Sequence, residues 1–219
     1  ETTKDMTLTK KEKIEKYLPT NIELLNDNSI TPNEKKKILT EAIAANTDLS
    51  LKEKDVLVDC VVSTVNTEHG IKNEEKVIEI LNKTQDIKIV RENKLYKKEF
   101  SEGNFICGRV DGIYKNYIIE VKNRMRGFFP KVRDYENTQV QIYMWLLPDI
   151  EYTMLEEHFD NKIKSTRVYK DEQYIENVLE LLEKFAVNFA EFLKSEKLKK
   201  AYLAMNTFKR AIYIRKLQN

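Results

Sequence analysis

The stretch "GRVDGIYKNYIIEVK", residues 108–122, sets Asp111 and an isolated Glu120 among aliphatic residues and places Lys122 two positions further on. On a strand, alternate side chains share a face, so Glu120 and Lys122 point one way while Ile119 and Val121 point the other. Asp111, on the neighbouring arm of a hairpin, can reach the same place. Two carboxylates beside a backbone carbonyl form an all-oxygen site, which suits Mg²⁺ or Mn²⁺ rather than zinc. A lysine next to such an ion can orient or help deprotonate an attacking water and balance charge on a phosphate. The chemistry that fits is phosphodiester hydrolysis, with the metal stabilising developing charge and lowering the pKa of the water. A surface hairpin with a chance Glu-Lys pair has the same spacing, so the flanking segments must decide between the two.

Three of those segments favour the chemical reading. Glu74 lies four residues after Gly70 on a helix that precedes the strands, where it can offer a further carboxylate. Gln139 and Gln141 interrupt the otherwise apolar "VQIYMWLL" of the helix that follows, where amides can contact water, phosphate or backbone. Between strand and helix, "KNRMRGFFPKVR" brackets Phe128 and Phe129 with Arg124, Arg126, Lys131 and Arg133. Basic residues with interleaved aromatics suit phosphate contacts plus base stacking, although a solvated loop has the same look.

Composition removes several classes. Charged residues make up 34% of the 219 positions but nearly cancel to +2, so any nucleic-acid surface must be local. No apolar run is long enough to cross a bilayer, and the first residues lack the apolar core of a secretory signal, so a soluble, intracellular protein is expected. Residue 1 is Glu rather than Met, which is read as a trimmed chain. Cys60 and Cys107 are far apart and unaccompanied, which rules out a zinc or four-cysteine cluster and predicts reduced structural thiols. His69, beside an expected turn at Gly70, and His158 are not spaced as ligands, and Met144 and Trp145 are expected in the core.

The elements that must position the site are read from periodicity and caps. Residues 5–67 carry helix signals, including Thr31-Pro32 and a Ser50/Glu53 capping box, with Lys10–Lys16 as a solvated face. A short helix is predicted over Ile71–Leu81, then strands in "DIKIV", "LYKKEF", "NFICGRVDGI" and "NYIIEVK", with a turn at Tyr114–Asn116, as an antiparallel meander. A helix over "NTQVQIYMWLL", strands in "YTMLEEHF" and "STRVYK", a long amphipathic helix from Asp171 to Ser195 and a basic helical end complete the chain. The fold class is therefore α/β, with a central mixed, mostly antiparallel sheet flanked by helices. A helical region over 1–66 is expected to pack on a core over 67–219, as one structural domain.

From His69 to Ser195, "GIKNEE", "GRVDGIYKNYIIEVK", "TQVQIYMWLL" and the helix after "YKDEQYIENVLELLEKF" resemble the PD-(D/E)xK nuclease superfamily, and within it the phage lambda exonuclease or YqaJ-type viral recombinase family. The resemblance implies a restriction-endonuclease-like core. It implies Asp111, Glu120, the Val121 carbonyl and Glu74 as metal ligands, Lys122 as the catalytic lysine, and Gln139 as the glutamine of a Q-x-Q element whose second member is Gln141. Arg124, Arg126 and Arg133 are candidates for a terminal-phosphate pocket. Val110 stands where the superfamily has proline, a side chain that does no chemistry, and the first 65 residues carry no match. The implied activity is a Mg²⁺-dependent exonuclease that resects one strand from double-stranded DNA ends, 5′ to 3′. Its implied partners are a single-strand annealing protein and a trimeric ring of identical chains. An endonuclease would use the same residues but cut closed circles, and a noncatalytic DNA binder would lack an acid or the lysine. A Cas4-like iron-sulfur nuclease is excluded by the cysteine count.

Overall fold

In a computed structural model, residues 8–27, 29–91 and 93–217 are described. Residues 5–7 of the expected helical start lie outside them. The chain is mixed α/β and divides into two compact units, one up to Glu79 and one from Ile80 onward. The boundary expected at residue 66 falls inside a helix.

The first unit is helical: α1 (Lys10–Tyr17), a 3-10 turn at Pro19–Asn21, α2 (Glu23–Asn26), α3 (Pro32–Ala45) and most of α4 (Leu51–Gln85). Capping boxes begin α1 at Thr9/Glu12 and α3 at Thr31/Glu34, so donors exposed at the helix start are satisfied locally. Ser50 and Glu53 make the same reciprocal contacts at the start of α4. The lysine-rich α1 still buries Ile14, which joins Leu25, Leu39, Ile43, Leu57 and Val61 in one apolar core. Cys60 lies in that core, whereas Cys107 is exposed on a strand of the second unit and is not a core thiol.

Gly70 does not make a turn. α4 runs unbroken for 35 residues through it, so the short helix expected over Ile71–Leu81 is the second half of a longer one. A glycine inside a helix costs about 1 kcal/mol relative to alanine, too little to stop apolar positions such as Val61, Val65, Val77, Ile78 and Leu81 from being buried.

The second unit holds two sheets. A hairpin of β1 (Tyr96–Ser101) and β2 (Asn104–Gly108) stands apart from a four-stranded sheet of β3 (Gly112–Tyr114), β4 (Tyr117–Asn123), β5 (Tyr152–Phe159) and β6 (Lys162–Tyr169), in that order. The expected continuous strand over 104–113 is thus broken at Arg109–Asp111, and "DIKIV" contributes only a bridge from Val90 to Ile113. β3–β4 and β5–β6 are antiparallel. β4–β5 is parallel, because α5 (Asp134–Leu146) carries the chain back across the sheet before β5 begins. The antiparallel meander is corrected on this point, while the mixed, mostly antiparallel character stands.

Turn chemistry agrees with the sequence. Lys115 takes a left-handed φ of 53° between β3 and β4, and Asp160 and Asn161, at 49° and 57°, join β5 to β6. α6 (Glu172–Lys194) starts at Asp171, whose side chain accepts from Tyr174 N, and presents Phe185, Phe189 and Phe192 in one stack. The basic end forms two helices, α7 (Glu196–Ala204) and α8 (Thr207–Leu217).

Candidate active site

β4 supplies the centre. Ile118, Ile119 and Val121 are buried, so the strand is fixed on both faces, and Glu120, only 3% exposed, is held among them. The Lys122 ammonium donates to Glu120 Oε1 at 2.7 Å and to Gln139 Oε1 at 2.8 Å. Gln139 in turn donates from Nε2 to the same Glu120 oxygen at 3.0 Å. An ammonium can only donate, so Lys122 fixes the amide with its oxygen toward the lysine and its nitrogen toward the glutamate. One carboxylate oxygen, one ammonium and one amide therefore form a closed triangle between β4 and α5.

Asp111 joins the same strand from the broken segment before β3. Its Oδ2 accepts from Val121 N at 2.8 Å. The N–H and carbonyl of one strand residue project to the same edge. The Val121 carbonyl therefore stands on the side where Asp111 lies. Burial pushes the Asp111 carboxyl above its usual 3.8, against the pulls of the Val121 N–H, Lys122 and Arg91. Lys122 moves the other way from most buried lysines. Burial alone would lower it, but the charge and hydrogen bond of Glu120, then Asp111 and Glu136, hold it above 10.5. It is an ammonium at neutral pH, fit to orient and to balance charge rather than to accept a proton.

Two further residues were not read from the sequence. Tyr143 lies four residues after Gln139, one turn along α5, and its hydroxyl accepts from Gln139 Nε2 at 2.8 Å. Burial, and then the charge of Glu120, raise its pKa above 10, so it keeps its proton. The i, i+4 pair of Gln139 and Tyr143 was visible, but tyrosine in an apolar run reads as core. Gly108 is the second. A Cβ there would stand 2.7 Å from Tyr143 Cε1 and 3.2 Å from Leu146 Cδ1. Gly108→Ala is accordingly expected to displace the Tyr143 ring and cost about 1–3 kcal/mol, typical of overpacking. A urea titration of the purified variant checks this, and an unchanged midpoint would show that the ring has room to move.

The expected basic patch divides. Arg124 is not turned to solvent: it makes a two-pronged pair with Glu136 at 2.6 and 3.1 Å, and its Nε donates to Glu157 Oε1 at 2.8 Å. Glu157 also accepts from Phe129 N and pairs with Lys164, whose ammonium donates to the Phe129 carbonyl. This network fastens the loop after β4 to α5 and β5. In this structure Arg124, expected as a phosphate contact, is engaged in these ion pairs. Phe128 packs edge-on against Phe159 and Phe129 lies under Arg124 and Arg133, so neither ring is splayed outward. Arg126, Lys131 and Arg133 remain exposed.

Gln141 has a structural place. It is 2% exposed, donates to Tyr169 O and accepts from Asp171 N, both at 2.8–2.9 Å, so its amide ties α5 to the end of β6 and the start of α6. Glu74 belongs to the first unit, and the group assembled on β4 belongs to the second. Among the described residues, no three His, Cys, Asp or Glu side chains gather as a metal cluster. Met144 is fully buried, and Trp145 is half-buried under the Lys98 ammonium at 4.3 Å. His69 contacts Asn73 and His158 contacts Asn123, both half-buried.

No protein-family profile matches the chain, and no curated protein does. A solved structure described as "Crystal structure of SSO0001" is similar over 66% of this chain and 81% of its own, with 18% identity and a TM-score of 0.42. Among the described residues, no helix is long and apolar enough to cross a membrane.

Proposed function

We propose that the chain is a Mg²⁺-dependent deoxyribonuclease of the PD-(D/E)xK type, with a restriction-endonuclease-like core, acting as a lambda exonuclease-like enzyme on double-stranded DNA ends. The observation that carries this reading is the closed contact of Glu120, Lys122 and Gln139 beside the Asp111–Val121 pair. The donors fit a hard divalent cation: two carboxylates and one carbonyl, all oxygen, with a half-buried aspartate whose carboxyl is raised by desolvation against the pulls of its neighbours. Asp111, Glu120 and the Val121 carbonyl would hold Mg²⁺, or Mn²⁺ in its place. Bound there, the ion supplies charge stabilisation on the phosphate and a more acidic water.

The residues of the chain do the rest. Lys122, charged and anchored at two points, presents its remaining donor capacity to a phosphate oxygen or to the attacking water. Gln139 holds Lys122 and Glu120 at fixed separation, and Tyr143 holds Gln139. Arg126, Lys131 and Arg133 offer phosphate contacts on the loop beside the strand. Digestion from a 5′ end, an annealing partner for the single strand left behind and a trimeric assembly follow from the resemblance and are part of the proposal.

The test is incubation of the protein and its Glu120→Ala variant with linear and covalently closed circular DNA, in Mg²⁺ or in EDTA. Release of nucleotides from linear DNA alone, in Mg²⁺ alone and by the parent alone is the expected result. Cutting of the closed circle would replace the exonuclease with an endonuclease. Binding of DNA without cleavage of either form would replace both with a noncatalytic binder.

A further inference from the structure

We infer that the apolar face of α6, with α7 and α8 beside it, is the contact through which two copies of this chain pair about a two-fold axis. α6 is strongly amphipathic, yet among the described residues Ile175, in its first turn, is its only buried side chain, and α7 buries none. Leu181, Phe185, Phe189 and Leu193 recur every four residues and so form one ridge along α6. Phe185 and Phe189 stack at 5.5 Å, while Leu181, Phe189 and Leu193 are 51%, 39% and 50% exposed. An amphipathic helix draws its stability from burying such a face, and an i, i+4 ridge is the shape that packs into the groove of another helix.

α7 and α8 do not close that face. They meet α6 through Phe192, whose ring contacts Tyr202 and Tyr213. They also add exposed side chains of their own, Leu198, Leu203, Phe208 and Ile212. Apolar exposure gathered on three neighbouring helices marks an interaction surface, unlike apolar residues scattered singly.

The charges select a second copy as the occupant. Among the described residues, the ion pairs of these helices are Lys170 with Glu172 and Lys199 with Glu196. Glu180, Glu183 and Glu191 on α6 and Lys197, Lys200 and Lys209 on α7 and α8 take part in none. One region of the chain thus carries an acidic helix and a basic pair of helices that do not neutralise each other. Turned about a two-fold axis, it meets its own copy with the acids of α6 opposite the bases of α7 and α8, twice over, and the apolar face closes between them. Nucleic acid would answer the lysines, but the acids of α6 would repel it and the apolar side chains would stay in water. The inference does not rest on the nuclease reading. It also differs from a trimeric ring, which joins two unlike faces head to tail, whereas a two-fold contact joins one face to itself.

The experiment is analytical ultracentrifugation of the full chain, without DNA and in EDTA, at about 50 µM, above the micromolar Kd that even a weak interface of ordinary size reaches. An assembly with an even number of chains is expected. Leu181→Glu combined with Leu193→Glu, both at exposed positions, should weaken association by about 30-fold or more. If that variant does not fold by circular dichroism, charge reversal decides. Glu180→Lys, Glu183→Lys and Glu191→Lys in one chain, and Lys197→Glu, Lys200→Glu and Lys209→Glu in another, should each pair poorly alone. Mixed in equal amounts, the two variants should pair again, because opposite charges then face each other in both halves of the contact. A single chain, an odd number of chains, association untouched by these changes, or a mixture that does not recover would each overturn the inference.

Discussion

Glu120→Ala is expected to reduce Mg²⁺-dependent nucleotide release from linear duplex DNA by about 10³-fold or more, the scale on which pre-organised charge and metal sites act. The change removes one proposed metal ligand, and it also removes the oxygen that both Lys122 and Gln139 grip. Glu120→Gln separates the two effects. It keeps an acceptor for the lysine and the volume of the side chain, so it should still fold, as read by circular dichroism, while losing activity. Lys122→Met, which keeps the stem and removes the ammonium, should be equally inactive. Retained digestion by a folded Glu120→Gln or Lys122→Met protein would show that the cleavage chemistry lies elsewhere.

The second large effect concerns stability. Glu136→Ala leaves the Arg124 guanidinium, itself 9% exposed, with Glu157 as its remaining carboxylate partner, which Lys164 shares. Breaking one side of a buried ion pair costs about 3–5 kcal/mol, whereas replacing both sides with apolar groups of similar size costs far less. Arg124→Met combined with Glu136→Leu should therefore be more stable than Glu136→Ala alone, as read from urea midpoints. The pH dependence has a definite sign. Burial pushes both Glu136 and Glu157 up, but hydrogen bonds and charge outweigh it: Arg124 for Glu136, and the Phe129 N–H with Arg124 and Lys164 for Glu157. Both are held below 4.5. Their contribution is full above pH 4.5 and is lost as the pH falls through the depressed values. The parent should lose stability faster than Glu136→Ala below pH 4.5, and parallel curves would show that Glu136 is not the group responsible.

What the sequence discloses is uneven, and the pattern has physical causes. The helix start at Ser50 was legible because a capping box joins residues only three apart, and that at Thr31 because a proline such as Pro32 suits the first turn of a helix. The face shared by Glu120 and Lys122 was legible because strand alternation depends on nothing distant. Gly70 misled because a helix tolerates one glycine when its neighbours are buried, and burial is a tertiary fact. The parallel pairing of β4 with β5 depends on where α5 crosses, which no local pattern encodes. The partners of Arg124 and Gln141 were not legible for a related reason: Glu136, Glu157, Tyr169 and Asp171 come from other elements, which no local pattern brings to them. Tyr143 was hidden in the opposite direction, since only its contact with Gln139 distinguishes it from an ordinary apolar position.

The registers of the four-stranded sheet bring Tyr114, Tyr117, Tyr152 and Tyr169 into one row, a single ring from each strand, with Tyr117 and Tyr152 stacked at 4.7 Å. Coupled phenol transitions between neighbours in such a row contribute a near-ultraviolet dichroic signal that weakens as the strands part. Trp145, the sole tryptophan, is covered by Lys98 of the β1–β2 hairpin, so its fluorescence reports that hairpin instead. Two optical signals native to the chain thus read the two sheets of the second unit separately, and opening of one without the other will appear as a divergence between them.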